Sequence, residues 1–593
     1  MTGTPFDYTW GPSITADGNT RFRLWAPAHD SVKLRIGETD VAMTARDGGW
    51  FEAESRLKPT DKNYAFILPD GTRVPDPASR RQDDVLGMST LVDSTTYEWE
   101  QVEWRGRPWE EAVFYELHIG AFTEQGTFRA AIARLASLAD LGFTAIELMP
   151  VAHFPGQRGW GYDGVFQYAP HSAYGTADDF KALVDAAHQL GLMVFLDVVY
   201  NHFGPEGNFL SRYAPEFFLE TDPTPWGPRI AFAHEPVRRF FIENALYWLT
   251  EFRLDGLRLD AVDQIEDHSA VHFLEQLSTE IHAAIADRNI HLITENPANG
   301  TDLMAAHDNG SRLFRADWND DFHHALHVAV TGEASGFYAA FADHPWNSMA
   351  KALAEGYLMP GKQILAVDPP PTSALPTSCF VHYLQNHDQV GNRALGDRLH
   401  IKLGRNLYGA LVEMLVLSPQ IPLFFMGDDH LSTRPFRFFC DYEGQLRSDI
   451  WSGRFREADN FGGVPNGFVP SDIADPSDIA TFEDCKLDWS ESESPSAVNW
   501  QRLLKTLLDV RSTRIVPLTK KSVSAGRVLE APERCVFVDW DHPDGVLKLR
   551  ANLSPHGVPL SSSEGTILYP NAAGDEVSTL AGYSVKVFND RRP

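Results

Sequence analysis

The chain has 593 residues, of which 43% are hydrophobic and 22% are charged, and its net charge at pH 7 is −30. This length predicts several domains, and the composition is typical of globular proteins. The acidic balance argues against nucleic acid or an anionic membrane as the main partner, because both attract positively charged surfaces. No run of the sequence reaches the roughly 18 apolar residues of a membrane span. These features favour an enzyme that acts on a neutral substrate.

The first residues of the chain bear on its location, and its cysteines bear on disulfides and zinc. Residues 1–7 lack a basic segment followed by an apolar stretch, so we expect no signal peptide and a cytoplasmic location. The chain has four cysteines and no C-x-x-C pair, which argues against a disulfide scaffold and against a zinc site. Cys379 begins an apolar run, and we expect it to be packed in the core.

Residues 1–105 predict an N-terminal β-sandwich. Residues 22–26 and 32–36 alternate apolar and polar side chains, which is typical of half-buried strands. Asp-Gly-Gly and Pro-Asp-Gly turn signals follow at residues 47–49 and 69–71. Short strands separated by such turns favour a small sandwich.

Residues 106–515 show a different rhythm, in which short β-rich runs alternate with helical patterns. The predicted strands are residues 113–118, 145–150, 193–199, 256–260, 291–295, 313–317, 380–385 and 421–426. The predicted helices include residues 128–141, 178–190, 237–252, 406–417 and 499–513. Eight strands with intervening helices predict a closed (β/α)8 TIM barrel. An open, doubly wound sheet is the alternative, but no G-x-G-x-x-G turn follows the first strand.

Long insertions interrupt the barrel, and a last domain follows it. Residues 153–174 and 203–234 are rich in Gly, Pro and aromatic side chains, which favours loops that shape a binding site. Alternation returns in residues 516–593, which predict a small C-terminal β-domain. The expected fold class is therefore multidomain, with a central barrel between an N-terminal β-sandwich and a C-terminal β-domain.

Three carboxylates follow predicted barrel strands. Asp260, Glu295 and Asp388 end strands four, five and seven. Because a buried charge is costly and the C-terminal ends of barrel strands face the active site, we expect the three to form one site. Arg258 lies two residues before Asp260, on the same side of the strand, where it would favour an ionised carboxylate. Taken singly, each residue also has a structural interpretation, as an ion pair, a loop anchor or a helix cap.

Paired carboxylates of this kind point to glycoside hydrolysis. A nucleophile and a general acid/base about 5–5.5 Å apart constitute a retaining site, and a third carboxylate would favour the oxocarbenium-like transition state. Residues 197–202 add an acid, an amide and an imidazole after strand three. A metal site there is an alternative, but no H-E-x-x-H or EF-hand pattern supports it. We therefore expect no metal and no cofactor.

These motifs resemble the α-amylase family of glycoside hydrolases. The resemblance rests on four motifs in order, residues 197–202, residues 256–260, Glu295 and residues 386–388. It implies that Asp260 is the nucleophile, Glu295 the general acid/base and Asp388 the transition-state stabiliser. The substrate-binding residues that it implies around the sugar being cleaved are Tyr162, Asp197, His202, Arg258, Asn386 and His387.

Further segments resemble the branch of this family that acts on maltooligosyl trehalose. They are residues 75–80, residues 318–324 after strand six, and residues 384–396. The implied reaction cleaves the α-1,4 bond next to the terminal trehalose, releasing trehalose and a maltooligosaccharide. The further substrate-binding residues expected from these segments and the long loops are Trp226, Trp318, Asn319 and Asp320. Asp320 and Asp321 are alternatively caps of the following helix.

Two other functions remain open at this point. One is a branching or debranching α-glucan enzyme with the same three carboxylates, and the other is a non-catalytic glucan-binding protein. After strand eight the chain reads Gly-Asp-Asp-His at residues 427–430, where the family usually shows Gly-Glu-Glu. The resemblance implies maltooligosyl trehalose as substrate and the synthase that makes it as a pathway partner, without a stable complex.

Overall fold

A closed barrel of eight parallel strands forms the centre of the protein in a computed structural model. The structure describes residues 8–591 except 16, 57–62, 94–95, 225, 307–311, 360, 366–368, 466, 561–564 and 571–577. Predictions that fall on residues 1–7, Pro225 and residues 592–593 lie outside the described residues. The barrel strands are Phe114–Leu117, Ala145–Leu148, Met193–Val198, Gly256–Leu259, His291–Thr294, Ala316–Trp318, Phe380–Tyr383 and Ile421–Phe425.

All eight predicted strands occur and pair in chain order, with the first also paired to the last. The closed barrel is therefore confirmed, and the open sheet is wrong. Every strand is buried along its whole length, which explains the continuous apolar runs of the sequence. Most of the predicted runs continue one or two residues beyond the strands, because the chain leaves the sheet where the polar side chains of the site begin.

Helices pack around the barrel in the predicted alternation. The longer ones are Phe128–Leu141, Ala177–Gln189, Glu235–Glu251, Phe273–Ala284, Asp320–Thr331, Pro345–Glu355, Arg405–Leu417 and Pro495–Val510. The first begins where the Thr127 side chain accepts a hydrogen bond from the Ala130 amide, and it ends at Gly142 with a left-handed φ of 109°. Its buried Phe128 stacks on Phe180 of the next helix at 4.7 Å. Between strands five and six, the only helical element among the described residues is the 3-10 turn Asp302–Met304.

Further elements lie in the insertions at the top of the barrel, and the short helix Val516–Thr519 follows the last barrel helix. The insertions contain the helices Ile119–Phe122, Leu210–Tyr213, His387–Gly391, Leu399–Leu403, Gly444–Asn460 and Ile479–Cys485, and the paired strands Ala152–His153 and Phe166–Pro170. The longest of them, Gly444–Asn460, belongs to the insertion after strand eight. These segments build the walls of the cleft above the strand ends.

The N-terminal domain consists of two antiparallel sheets. One contains Ser13–Ile14, Thr20–Trp25, Thr44–Ala45 and Trp50–Ser55, and the other contains Lys33–Ile36, Thr39–Ala42, Asn63–Ile67, Arg73–Val74 and Ser89–Thr90. Phe22 of the first sheet packs against Tyr64 of the second at 5.0 Å, which confirms the predicted sandwich. Arg80 lies over the rings of Tyr168 and Tyr247 in the barrel region at 4.2 and 4.3 Å. The segment 75–80 thus ties this domain to the barrel.

The C-terminal domain is also a small β structure, as expected. Its five-stranded antiparallel sheet contains Arg527–Val528, Cys535–His542, Gly545–Asn552, Thr566–Tyr569 and Ser584–Arg591, and a separate pair is formed by Val558–Pro559 and Thr579–Leu580. Glu413 of a barrel helix accepts hydrogen bonds from the Tyr569 hydroxyl and the Val585 amide, both at 3.1 Å. Burial raises the pKa of this carboxyl to about 7.

The cysteines and the helices complete the description of the fold. All four cysteine thiols are free and buried, and Cys379 packs in the core as expected. Within the described part of the chain, no helix is both long and apolar enough to cross a membrane.

Candidate active site

Asp260, Glu295 and Asp388 lie at the same end of the barrel. Asp260 and Glu295 come directly after strands four and five, and Asp388 comes five residues after strand seven. This is the C-terminal end of the parallel strands, where barrel enzymes place their active sites. The convergence expected from the sequence is therefore present.

Arg258 joins these acids through a single guanidinium group. Its Nη1 donates to both oxygens of Asp197 at 2.9 and 2.8 Å and to Asp260 at 2.7 Å. Its Nη2 lies 3.2 Å from the Glu295 carboxyl. A fully buried guanidinium is costly unless it is paired, and here three carboxyl groups offset that cost. The pairing also fixes Asp260 and Glu295 relative to each other.

The Asp260 carboxylate is held by two side-chain donors and is reachable from the cleft. One oxygen accepts from Arg258 and the other accepts from the Asn201 side-chain amide at 3.0 Å. Asn201 also donates to the Asp260 backbone carbonyl at 2.9 Å. Two side-chain donors stabilise a negative charge on this carboxyl group. Its side chain is 15% exposed, so a substrate atom can approach it.

The Glu295 carboxyl has an environment suited to a general acid. It accepts a hydrogen bond from the Ala261 amide at 2.7 Å, and Ala261 has a left-handed φ of 42°, which turns that amide toward the site. Burial raises the pKa of Glu295 well above its usual range, although the Arg258 charge lowers it. A carboxyl group that keeps its proton near neutral pH can protonate a leaving group.

Asp388 faces the cleft from the first turn of the helix His387–Gly391. Asn386 caps this helix, because its side-chain oxygen accepts from the amides of Asp388 and Gln389 at 2.9 and 3.3 Å. The alternative that Asp388 itself is the cap is therefore wrong. The Asp388 carboxylate accepts from Asn392 at 3.0 Å and is 36% exposed. Asn386 is buried, and its predicted contact with substrate stays a prediction.

Tyr162 and His387 form one wall of the site. Their rings stack at 5.2 Å with an interplanar angle of 20°. The Tyr162 hydroxyl donates to Asp197 at 2.6 Å and lies 2.8 Å from the His387 Nε2. Burial raises the pKa of Asp197 to about 6, so this acid is mostly ionised at neutral pH. The arrangement gives a sugar ring an aromatic face bordered by charged groups.

His202 and Trp226 lie beside Asn201 and Tyr162. The Nδ1 atom of His202 is 2.5 Å from the Asn201 side-chain oxygen, and its ring stacks with the Trp226 ring at 5.6 Å. Burial lowers the pKa of His202, which favours the neutral imidazole. Trp226 is 52% exposed, and such an exposed indole next to the site offers a surface for a further sugar.

The end of strand six contributes one ring, and the helix that follows it contributes one acid. The Trp318 ring lies against the Arg258 guanidinium at 4.3 Å. Asp320 accepts hydrogen bonds from the Tyr383 hydroxyl at 2.6 Å and from Gln389 at 3.1 Å. Asn319 is buried and caps the helix Asp320–Thr331.

The capping role expected for Asp320 and Asp321 is therefore wrong. Asn319 accepts the hydrogen bond from the Phe322 amide, and the two acids occupy the first helical turn. The other side-chain group of Asn319 is 3.0 Å from the His382 Nε2. Its predicted contact with substrate stays a prediction.

The comparisons identify the family to which this site belongs. The family model for the alpha-amylase catalytic domain matches residues 92–225. A malto-oligosyltrehalose trehalohydrolase of Deinococcus radiodurans is 42% identical over 506 residues, which cover 84% of this chain and 82% of that protein. The chain belongs to the malto-oligosyltrehalose trehalohydrolase family.

Other family members and a solved structure agree over nearly the whole chain. The trehalohydrolase of Mycobacterium tuberculosis is 36% identical over 606 residues and covers 96% of this chain and 99% of its own. A crystal structure of a Salmonella typhimurium protein, provisionally named an alpha amylase, has a TM-score of 0.92 at 46% identity. It covers 99% of this chain and 100% of its own.

Two buried acids of this trehalohydrolase family member were missed from the sequence. Glu116 of strand one lies 2.5 Å from the His387 Nδ1, and it also accepts from the His387 amide at 3.1 Å. Glu147 lies beside it on strand two, and its carboxyl group has no hydrogen-bond partner among the described residues. The available signal was a charged residue inside each predicted apolar strand, which is costly unless it is used.

The Gly-Asp-Asp-His segment after strand eight has a structural role. Asp428 accepts from Gln385 and Asp429 accepts from the Tyr115 hydroxyl, both at 2.7 Å and both fully inside the protein. The unusual Gly-Asp-Asp-His segment is therefore buried and hydrogen-bonded inside the protein. Among the residues that the structure describes, no group of three or more His, Cys, Asp or Glu side chains is arranged to hold a metal ion.

Proposed function

We propose that the protein is a retaining glycoside hydrolase that cleaves the α-1,4 bond next to the terminal trehalose of maltooligosyl trehalose. The products are trehalose and a maltooligosaccharide, and the activity is that of a 4-α-D-{(1→4)-α-D-glucano}trehalose trehalohydrolase. The observation that carries the proposal is the Arg258 guanidinium, which pairs with both Asp260 and Glu295 at the end of the barrel. The name of the Deinococcus radiodurans relative, which is 42% identical to this chain over 506 residues, indicates the substrate.

In the first step, Asp260 attacks the anomeric carbon of the glucose that precedes trehalose. Glu295 gives its proton to the departing oxygen, so trehalose leaves as a neutral alcohol. The raised pKa of Glu295 supports this role, because burial keeps the proton on the acid before the reaction. A covalent glycosyl-enzyme remains on Asp260.

In the second step, the Glu295 carboxylate takes a proton from water. That water attacks the anomeric carbon and releases Asp260, which gives the maltooligosaccharide with net retention. Asp388 stabilises the positive charge that develops on the sugar in both steps, and its 36% exposure supports direct contact with that sugar. Asp388 acts by charge and accepts no proton.

The remaining residues bind the sugars. Tyr162 stacks against the glucose whose bond is cleaved, and His202, Arg258 and His387 hold that glucose. Asp197 and Asn386 complete this set, as expected from the sequence. The half-exposed indole of Trp226 supports a role on the trehalose side, which it shares with Trp318, Asn319 and Asp320.

We place this activity in the cytoplasm, next to the synthase that forms maltooligosyl trehalose. The synthase supplies the substrate, and no stable complex with it is required. The acidic surface of the chain, with a net charge of −30, suits a neutral oligosaccharide.

Product analysis on three substrates tests the proposal. We expect rapid release of trehalose from maltotriosyl trehalose, and at most slow release of sugars from amylose or pullulan. A debranching enzyme would cleave the α-1,6 bonds of pullulan, and a branching enzyme would transfer segments of amylose to new α-1,6 positions. Either outcome without trehalose release would replace the proposal with that activity. No turnover of any substrate would favour a non-catalytic glucan-binding protein.

A further inference from the structure

His387 is held between two hydrogen-bonding partners on its two ring nitrogens. Its Nδ1 lies 2.5 Å from the Glu116 carboxyl, and its Nε2 lies 2.8 Å from the Tyr162 hydroxyl. Glu116 also accepts from the His387 amide at 3.1 Å, so the acid fixes both the ring and the backbone. The side chains of Glu116 and His387 are both buried.

The direction of these hydrogen bonds determines where the protons lie. The Tyr162 hydroxyl donates its only proton to Asp197 at 2.6 Å. Its oxygen must therefore accept a hydrogen from the His387 Nε2. The Nδ1 faces a carboxylate, which accepts hydrogens and donates none when it is ionised. Both ring nitrogens thus carry hydrogen, which makes His387 an imidazolium.

We propose that Glu116 is a positioning residue that keeps His387 doubly protonated, so that the His387 Nε2 always donates to the Tyr162 hydroxyl. This donor directs the Tyr162 hydroxyl to Asp197 and holds the Tyr162 ring in its stack with His387. Only the expected effect on turnover rests on the proposed function. The protonation state of His387 is a property of the protein without substrate.

The charges around His387 agree with this assignment. The charged and titratable groups that face it are Glu116 and Glu147 of strands one and two, His118, Tyr162, Asp197, Arg258 and Asp388. Burial lowers the pKa of His387, but Asp388 and Glu116 raise it more, to about 9. His387 is thus charged at neutral pH and loses its proton only as the pH rises through about 9.

The substitution Glu116→Gln tests the proposal directly. Glutamine keeps the size of the side chain and removes its charge, so we expect the pKa of His387 to fall by about two units or more. The measurement is a pH titration of the imidazole nitrogen-15 signals in ¹⁵N-histidine-labelled protein, with His387→Gln used to assign the signal. We also expect kcat/KM on maltotriosyl trehalose to fall about ten- to a hundredfold at pH 7.

Glu147→Gln provides the matched control. Glu147 is the neighbour of Glu116 in the strand register, is equally buried and makes no hydrogen bond to His387 in the described structure. Burial raises the pKa of Glu147 well above its usual range, so glutamine resembles the protonated acid already present. We expect this variant to keep a charged His387 and near-normal turnover.

The outcomes separate this inference from the proposed function. A neutral His387 at pH 7 in the unaltered protein, or the same titration in Glu116→Gln, would overturn the role of Glu116. If His387 titrates as expected but no trehalose is released by the unaltered protein, the proposed function fails and the protonation inference stands. A thermal unfolding scan of Glu116→Gln distinguishes loss of the charge from loss of the fold.

Discussion

The substitution Asp260→Asn is expected to lower kcat on maltooligosyl trehalose by a factor on the order of 10⁴ or more. Asparagine keeps the shape of the side chain and its hydrogen bond with Asn201, but it cannot form the glycosyl-enzyme bond. Arg258 would still pair with Asp197 and Glu295, so we expect the barrel to stay folded. Initial rates of trehalose release, together with a thermal unfolding scan, measure both effects.

Asp263→Asn is the control for this experiment. Asp263 lies three residues further along the same turn, where it accepts from Gln264 and makes no ion pair with Arg258. We expect its kcat to stay within about threefold of the unaltered protein, because the substitution removes no interaction with the reacting atoms. Near-normal turnover in Asp260→Asn would show that another group is the nucleophile.

The second large effect is expected for Glu295→Gln, whose kcat on maltooligosyl trehalose should fall by about 10²- to 10⁴-fold. The amide cannot protonate trehalose as it departs. An activated substrate, α-maltosyl fluoride, needs no proton for its leaving group, so we expect Glu295→Gln to release fluoride and then accumulate the glycosyl-enzyme. Added azide should raise turnover, because it attacks the intermediate without a general base. We expect Asp260→Asn to turn over neither maltooligosyl trehalose nor α-maltosyl fluoride.

The pH dependence of kcat/KM provides an independent check on Glu295. Its raised pKa means that the acid stays protonated, and therefore active, above the pH at which an ordinary glutamate ionises. We expect activity to fall on the alkaline side as Glu295 loses its proton. In Glu295→Gln with α-maltosyl fluoride we expect this limb to disappear, which leaves only the fall near pH 9 at which His387 loses its proton. The same alkaline limb in both proteins would assign it to another group.

The barrel was predictable because its strands are buried on both faces. Each strand is then a short apolar run, such as Ala145–Leu148, and the helices between them carry regular apolar spacing. The position of the two acids was predictable for a related reason, since Asp260 and Glu295 interrupt apolar runs at the point where the chain leaves the sheet. Arg258 followed from its two-residue spacing to Asp260.

Contacts that depend on tertiary geometry were not predictable in the same way. Asn319 and Asp320 both have side chains that cap helices, and only the backbone turn after strand six decides that Asn319 does so. Glu116 is 271 positions from His387 in the chain, and nothing local to either residue indicates their contact. The sequence showed a charged residue, Glu116, whose burial inside strand one costs free energy, but it did not show that His387 is the group that offsets this cost.

The stereochemistry of the products tests the central claim most directly. Hydrolysis of maltotriosyl trehalose, followed by proton NMR from the first seconds, reports both the cleaved bond and the anomer formed. We expect equal amounts of trehalose and maltotriose, with the new reducing end of maltotriose appearing first as the α-anomer and only later equilibrating. A β-anomer at first, or sugars released without trehalose, would contradict retaining cleavage at the trehalose bond by Asp260 and Glu295.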